Sequence, residues 1–245
     1  MIHKPIYAPK GRAKEYGDCA INIYTGCPHR CYYCFAPNVL RKTKEDFHNC
    51  VAPRENIVEA VSKQVAREGM TGKLIHLCFT CDPYPKDCDS TVTREIIKIL
   101  KDSGNNVQIL TKNGIDAIRD FDLLDDNDWF GITFAGYSDN ELSTSPGEEK
   151  GAGTPNGRKN ALIIAHTAGI KTWVSAEPVI NPNSILDFIK NENYVDLWKI
   201  GKMNYHPSNI EWGKFGKEAE SLLKSQNKAY YIKESLRAEM EKENA

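Results

Sequence analysis

The chain has 245 residues, with 32 Lys and Arg against 33 Asp and Glu, and a formal net charge of −1. Apolar residues make up 40% and charged residues 27%, the composition of an ordinary soluble globular protein. Near-neutrality excludes a polyelectrolyte that holds nucleic acid by bulk attraction alone. No stretch nears the roughly 18 consecutive apolar residues of a membrane span, and the first residues lack the apolar core of a signal peptide, so a cytoplasmic protein with no membrane partner is expected.

Residues 1–17 read as an N-terminal arm, and 18–245 as one barrel domain ending in a C-terminal helix. Residues 19–24 (CAINIY) are apolar and β-branched and predict a strand. A Gly/Pro/Cys loop follows, then a helix over 53–68, where Ile57, Val58, Val61 and Val65 recur at helical spacing. Residues 73–79 (KLIHLCF) predict a buried strand, and 91–101 a helix stopped by Ser103-Gly104. The alternation continues with strand 106–111, helix 116–124, strand 129–134 and helix 157–168 before Gly169. Strand 170–175, helix 183–190, strand 197–200 and helix 217–225 complete it. A last apolar piece, 229–232, leads into a charged helix over 234–243.

The result is six β-α units with a seventh strand. The strands read as apolar throughout, which suits a parallel sheet covered by helices. Right-handed crossovers then curl it into a partial or near-complete parallel β/α (TIM-like) barrel of about six β-α units, with a doubly wound open sheet as the structural rival. In either architecture chemistry belongs on the loops after the C-terminal ends of the strands. Residues 138–156 (SDNELSTSPGEEKGAGTPN) hold too few apolar residues to pack, and read as a mobile lid or a passive insertion.

Eight cysteines are the most informative count: Cys19, Cys27, Cys31, Cys34 and Cys50 come early, Cys78, Cys81 and Cys88 follow, and none lies beyond. A disulfide-stapled fold would spread its bridges along the chain, so the cysteines read as metal or redox ligands. Cys27, Cys31 and Cys34, at C-x3-C-x2-C spacing, can wrap one soft metal centre: zinc, copper(I) or an iron–sulfur cluster. A structural zinc site wants four closed ligands, with His29, His48 or Cys50 to complete it, although His29 is expected to face outward. Three thiolates on a four-iron cluster instead leave one iron open to a substrate or cofactor. Cys78-x2-Cys81 with Cys88 and Cys50 is a candidate second cluster, against which strand alternation makes Cys78 a small core residue.

The cysteine loop, with an aromatic just before its last cysteine and placed after the first strand of a β-α chain, resembles the radical S-adenosylmethionine (radical SAM) superfamily. AINIYTGCPHRCYYCFAP, CFTCDPYP and ILTKNG together resemble its spore photoproduct lyase-like group, in order over about residues 20–200. The resemblance implies a four-iron four-sulfur (4Fe-4S) cluster on Cys27, Cys31 and Cys34. It implies that SAM chelates the open iron and, when reductively cleaved, yields a 5′-deoxyadenosyl radical that abstracts hydrogen from a substrate. Tyr33 then lies against the adenine. Thr80, Cys81 and Asp82 lie over SAM, Lys112 meets its carboxylate, and Thr133 and Glu177 face the ribose. Cys81 matches the place of a cysteine that returns a hydrogen atom in photoproduct lyases. A reducing partner such as flavodoxin or ferredoxin is implied as well.

Two departures stand out. Phe35 occupies the position directly after the third cluster cysteine, where those lyases have a tyrosine, and phenylalanine cannot relay hydrogen. The chain is also much shorter. Lys4, Lys10, Arg12 and Lys14, interleaved with Tyr7 and Tyr16, and Arg41, Lys42 and Lys44 after the cysteine loop, make a nucleic-acid or nucleotide-like substrate the expectation. Lys199, Lys202 and His206 could face a phosphate, the SAM carboxylate or solvent. The alternatives are an iron–sulfur electron-transfer protein and a zinc-stabilised nucleic-acid-binding module.

Overall fold

Each apolar strand is followed by a helix with one apolar face, and covering that strand brings the chain back alongside it as a parallel neighbour. A computed structural model describes residues 4–144 and 151–242. Its eight strands are β1 (Ile6–Tyr7), β2 (Cys19–Ile21), β3 (Leu74–Leu77), β4 (Asn106–Thr111), β5 (Trp129–Thr133), β6 (Lys171–Ala176), β7 (Leu197–Ile200) and β8 (Tyr230–Ile232). They form one sheet in chain order, with β1 antiparallel to β2 and every later pair parallel. The order never reverses, so the doubly wound rival, which needs a switch point, is excluded. Among the described residues β8 does not pair with β1, and the barrel is a partial one.

The helices are α1 (Ala36–Leu40), α2 (Lys44–Asn49), α3 (Ile57–Glu68), α4 (Thr91–Asp102), α5 (Gly114–Ala117), α6 (Asp139–Thr144), α7 (Pro155–Thr167), α8 (Pro182–Asn191), α9 (Trp212–Ser225) and α10 (Glu234–Lys242). α4 turns Ile96, Ile97 and Leu100 inward, and α3 does the same with Ile57, Val61 and Val65. Thr43, Thr154 and Asn181 cap α2, α7 and α8 through their side-chain oxygens, and proline opens α7 and α8. Among the described residues no helix is long and apolar enough to cross a membrane.

Several boundaries move from the expected ones for local reasons. The helix expected from residue 53 starts at Ile57, because Pro53 bridges to Tyr24 and Asn56 takes a left-handed conformation. The strand expected to reach residue 79 stops at Leu77, since Cys78 turns to a φ of 71°. The helix expected over 116–124 is α5 followed by a 3-10 helix, Ile118–Leu123. β1, α1, α2 and a 3-10 helix, Gly11–Glu15, are too short to leave a periodic pattern.

The strands are not apolar on both faces. Ile75, Leu77, Val107 and Ile109 join the core beneath the helices, whereas His76 and Gln108 bond to each other inside the barrel at 2.9 Å. The interior is closed by Tyr16, whose ring lies 5.4 Å from that of His76, 5.6 Å from Phe79 and 5.9 Å from Trp173. Gly131 makes room for the Trp173 indole, since a Cβ there would fall 2.2 Å from Nε1, which donates to the Ile109 carbonyl. The arm is thus joined to the barrel by Tyr16, by the β1–β2 pairing, and by Gln64, whose amide both accepts from the Ile6 N–H and donates to its carbonyl.

Candidate functional site

The cysteine loop leaves the C-terminal end of β2 and is held from below by α2. Thr25 and Cys27 donate their N–H groups to the carbonyls of Ala52 and Phe47, and His48 Nδ1 lies 2.7 Å from the Cys27 carbonyl. Only glycine fits at position 26, where a Cβ would sit 2.2 Å from the Phe47 carbonyl oxygen. The loop brings the three thiols into one electrostatic neighbourhood. Burial pushes the Cys27 thiol well up, and Asp82, Cys31 and Cys34 push it further. Burial also raises Cys34, against the pull of the Ala36 N–H, Lys112 and Lys44. Both thiols are therefore protonated near neutrality, and a cationic centre is what would release their protons.

His29 does not face outward as expected; it is 1% exposed. Its Nε2 accepts from the Lys86 N–H, and its Nδ1 lies 3.5 Å from Asp82 Oδ2. Burial takes its pKa down to about 4, with Asp82 pulling the other way. Both ring nitrogens are engaged, so His29 is not a free fourth ligand. Cys50 is exposed. Among the described residues no group of three or more His, Cys, Asp or Glu side chains is gathered to hold a single metal ion.

Asp82 ties three loops together. Oδ1 accepts from the Tyr84 N–H at 2.9 Å and the Thr111 hydroxyl at 2.6 Å, and Oδ2 from the Lys112 N–H at 2.8 Å. Its carboxylate is thereby spent on protein donors. Lys112 follows β4, and its Nζ stands 5.7 Å from the centre of the Tyr33 ring. Thr80 sits in a turn fixed by Asn22, whose Oδ1 accepts from the Phe79 and Thr80 N–H groups. The hydroxyls of Tyr33 and Thr80 are buried with no hydrogen-bond partner. Thr133 is buried at the end of β5, and its carbonyl accepts from Arg158. The half-buried Cys81 accepts from the Tyr24 N–H at its sulfur, at 3.4 Å, and packs on the core.

Part of the stretch expected not to pack lies on this site. Gly151 donates its N–H to the His29 carbonyl and Gly153 to the Lys112 carbonyl. A Cβ at 151 would strike the Pro28 carbonyl at 2.0 Å. Residues 139–144 form α6; residues 145–150 of that stretch lie outside the described residues.

Glu177 follows β6 and is already surrounded. Tyr16 donates to Oε2 at 3.0 Å, Lys233 to Oε2 at 2.5 Å and Asn204 to Oε1 at 3.0 Å. Lys233 also pairs with Glu15 at 3.2 Å. Burial alone would lower Lys233, but the Tyr16 phenol, Glu177 and Glu15 hold it above its ordinary value. Burial and the nearby Glu177 push Tyr16 up to about 12. Lys199 points into the barrel, with its Nζ on the Glu15 and Tyr16 carbonyls; burial, then Lys233, takes it down to about 8. Lys202 pairs with Glu239, and the His206 ring lies 5.5 Å from that of Tyr32, so this trio is divided among different environments. Asn22, Asn204 and Lys233 were not foreseen, and Tyr16, expected in a basic and aromatic nucleic-acid surface, instead donates to Glu177, because each meets its partner only in the folded barrel.

A family model described as the radical SAM superfamily matches residues 21–190. The uncharacterized protein ORF301 of Acidianus two-tailed virus is 27% identical over 202 residues, covering 74% of this chain and 63% of that protein. The uncharacterized protein MJ0683 of Methanocaldococcus jannaschii is 27% identical over 197 residues, covering 77% of this chain and 70% of its own length. The chain thus spans less than two thirds of the viral relative. In fold, it is similar to a spore photoproduct lyase solved with a dinucleoside spore photoproduct (TM-score 0.68, 12% identity, 92% of this chain and 79% of that one). It is also similar to a radical SAM methyltransferase from Sphaerobacter thermophilus (TM-score 0.57, 13% identity, 87% of this chain and 65% of that one).

Proposed function

The chain belongs to the radical SAM superfamily, and we propose that it is an enzyme of that family acting on a nucleic acid or nucleotide-like substrate. Cys27, Cys31 and Cys34 would hold the 4Fe-4S cluster that the family implies. When bound, the cluster and SAM supply an electron and a 5′-deoxyadenosyl radical that takes a hydrogen atom from the substrate. A flavodoxin or ferredoxin is the class of partner that would reduce the cluster.

The observation that carries this reading is two buried, unpartnered hydroxyls, Tyr33 in the three-cysteine loop and Thr80 in the turn held by Asn22. Leaving a polar group buried without a partner costs roughly 1–3 kcal/mol, a cost that a polar cofactor would remove. Lys112, adjoining Tyr33 and Cys34, would balance the SAM carboxylate, which is costly to bury without a cation. Asp82 then acts as a positioning residue, holding Lys112 and His29 in place. Thr133 and Glu177 would stand at the ribose side. Glu177 needs its accepting capacity shared, since Tyr16, Lys233 and Asn204 already donate to it. Cys81 stands in this reading as a thiol donor of hydrogen to the substrate radical.

A cavity of about 490 Å³ adjoins Glu177 through Asn204 and is lined by Arg12, Lys202, Tyr205, His206 and Trp212. The Arg12 guanidinium lies 5.3 Å over the Tyr205 ring, which is 77% exposed. Stacking aromatics beside cations suit a base and its phosphate, and the similar lyase was solved with a dinucleoside photoproduct.

The test is anaerobic reconstitution with iron and sulfide, reduction with dithionite, addition of SAM and assay of 5′-deoxyadenosine. Product that Cys31→Ala abolishes is expected; stoichiometric zinc without acid-labile sulfide would overturn the reading. Binding to single-stranded DNA or RNA should fall steeply with salt, and salt-independent or absent binding would remove the substrate class.

A further inference from the structure

We propose that the chain grips single-stranded nucleic acid by two adjacent nucleotides: an apolar groove beside Tyr32 takes the reacting nucleotide, and Tyr205 with Arg12 takes its neighbour. This rests on the nucleic-acid reading above and deepens it, by assigning a second groove and a minimum substrate length.

Both grooves run along residues 201–211, which leave the C-terminal end of β7 and lead into α9. The foot of this loop is fixed. The Asn204 amide donates to Glu177 Oε1 at 3.0 Å and to the Lys202 carbonyl at 3.1 Å, and the Lys202 ammonium is paired with Glu239. The apex is held outward. Tyr205 takes a φ of 67°, a conformation that costs a side-chain-bearing residue energy and recurs at ligand clamps. The residue stays 77% exposed, so burial does not offset that strain.

The N-terminal arm supplies the cation. Arg12 lies in the 3-10 helix Gly11–Glu15, and Tyr16, just after it, is anchored on Glu177 at 3.0 Å. The Arg12 guanidinium thereby stands 5.3 Å over the Tyr205 ring, with Lys10 and Lys14 exposed on either side of it in the chain. A base stacks on such a ring while the guanidinium meets its phosphate. A duplex keeps its base faces stacked on one another, so an unpaired strand is what this platform fits.

The second groove differs in chemistry. It is a cavity of about 320 Å³ lined by Tyr32, Ile180 and Ile210, and it shares Met203, Pro207 and Ser208 with the cavity at Arg12. None of its lining side chains is charged, which suits the flat face of a base and not a phosphate. Tyr32 lies between Cys31 and Cys34, so this groove adjoins the cysteine loop and is the one nearer the chemistry. The His206 ring, 5.5 Å from that of Tyr32, belongs to the wall of the Arg12 cavity and joins the two. A ligand that fills both carries two flat groups linked through an anion, which is a dinucleotide unit.

The full-length reconstituted protein, anaerobic and unreduced, is tested by competition against a fluorescein-labelled oligothymidylate followed by anisotropy. The competitors are the nucleoside monophosphates, the deoxy and ribo dinucleotides pTpT and pUpU, and the oligothymidylate annealed to its complement. The tighter dinucleotide names the sugar and should compete about fivefold to 150-fold better than its monophosphate, the value of one more stacked base; the duplex should compete worse than the single strand. Tyr205→Ala should weaken the dinucleotide by a similar factor, and Arg12→Ala should lower the salt slope by about one. Asn209→Trp, which fills the apolar groove from an exposed position, should weaken the dinucleotide by about fivefold or more. Monophosphate or duplex competing as well as the dinucleotide or single strand overturns the proposal, as does unchanged dinucleotide affinity in Tyr205→Ala or Asn209→Trp; the nucleic-acid reading survives those results. Absence of binding to every oligonucleotide overturns both.

Discussion

Lys233 is the one cation facing both Glu15 and Glu177 among the described residues, and its removal is the sharpest test of how the barrel is closed. The side chain is 2% exposed, with Nζ 2.5 Å from Glu177 and 3.2 Å from Glu15. At an effective dielectric of about 20, those distances give gross attractions of about 7 and 5 kcal/mol. Desolvation of three charged groups cancels most of this in the native protein. Removing only the cation leaves the desolvation of two carboxylates uncompensated, a change that costs about 3–5 kcal/mol. For a chain of this size that is a fall in Tm of roughly 6–20 °C. Lys233→Met keeps the volume and deletes the charge. Urea unfolding followed by tryptophan fluorescence reads the loss, since Trp173 and Trp198 are fully buried. Adding Glu177→Gln should restore part of it, by a coupling of about 0.5–3 kcal/mol. Because the folded-state pKa of Lys233 is raised, its contribution is complete below the ordinary lysine value of 10.5 and fades as pH climbs above it. A loss under about 1 kcal/mol, typical of a solvent-exposed pair, would refute the reasoning.

Three further outcomes are expected. Tyr33→Phe and Thr80→Val should each weaken SAM binding by roughly twofold to tenfold, the value of one hydrogen bond, while raising the stability of the protein alone by up to about 1–3 kcal/mol, the cost of the unpartnered hydroxyl; calorimetry showing unaltered affinity in both would count against their role. Burial, reinforced by Lys199 and Lys233 and opposed by Gln108, lowers the His76 pKa from 6.5 to about 4. Its contribution is therefore complete above pH 6.5 and lost as pH falls toward 4, so His76→Gln should flatten that part of the stability–pH curve, and a parallel curve would contradict this. Gly131→Ala drives a methyl into the Trp173 indole and should destabilise by about 1–3 kcal/mol through overpacking, read by urea midpoint; a neutral effect would mean the strand can shift.

The residues that the sequence displayed most openly are those whose relationship is local. Cys27, Cys31 and Cys34 share one loop, so their spacing already limits them to one centre. Lys112, Thr133 and Glu177 were singled out by the family resemblance, which places them at the ends of strands that the apolar runs mark. What each side chain does there was not legible. Asp82 follows the second predicted strand as expected, yet it bonds inward to Tyr84, Thr111 and Lys112. His29 was expected to face outward and is buried, because two groups beyond β3 engage its nitrogens: the Lys86 N–H donates to Nε2, and Asp82 lies beside Nδ1. Gly151 and Gly153 sit in a polar stretch that no hydrophobic pattern would dock, and they dock through backbone hydrogen bonds, which composition does not encode.

By itself the sequence determined the β-α alternation and the three thiols of one loop, since periodicity and spacing act over a few residues. Only the tertiary structure decided that Tyr16 reaches Glu177 across 161 positions and that Lys233 closes the same cluster. The reason is physical: a buried polar group must find its partner wherever the packed barrel supplies one, and that place is fixed by the curvature of the sheet, not by distance along the chain.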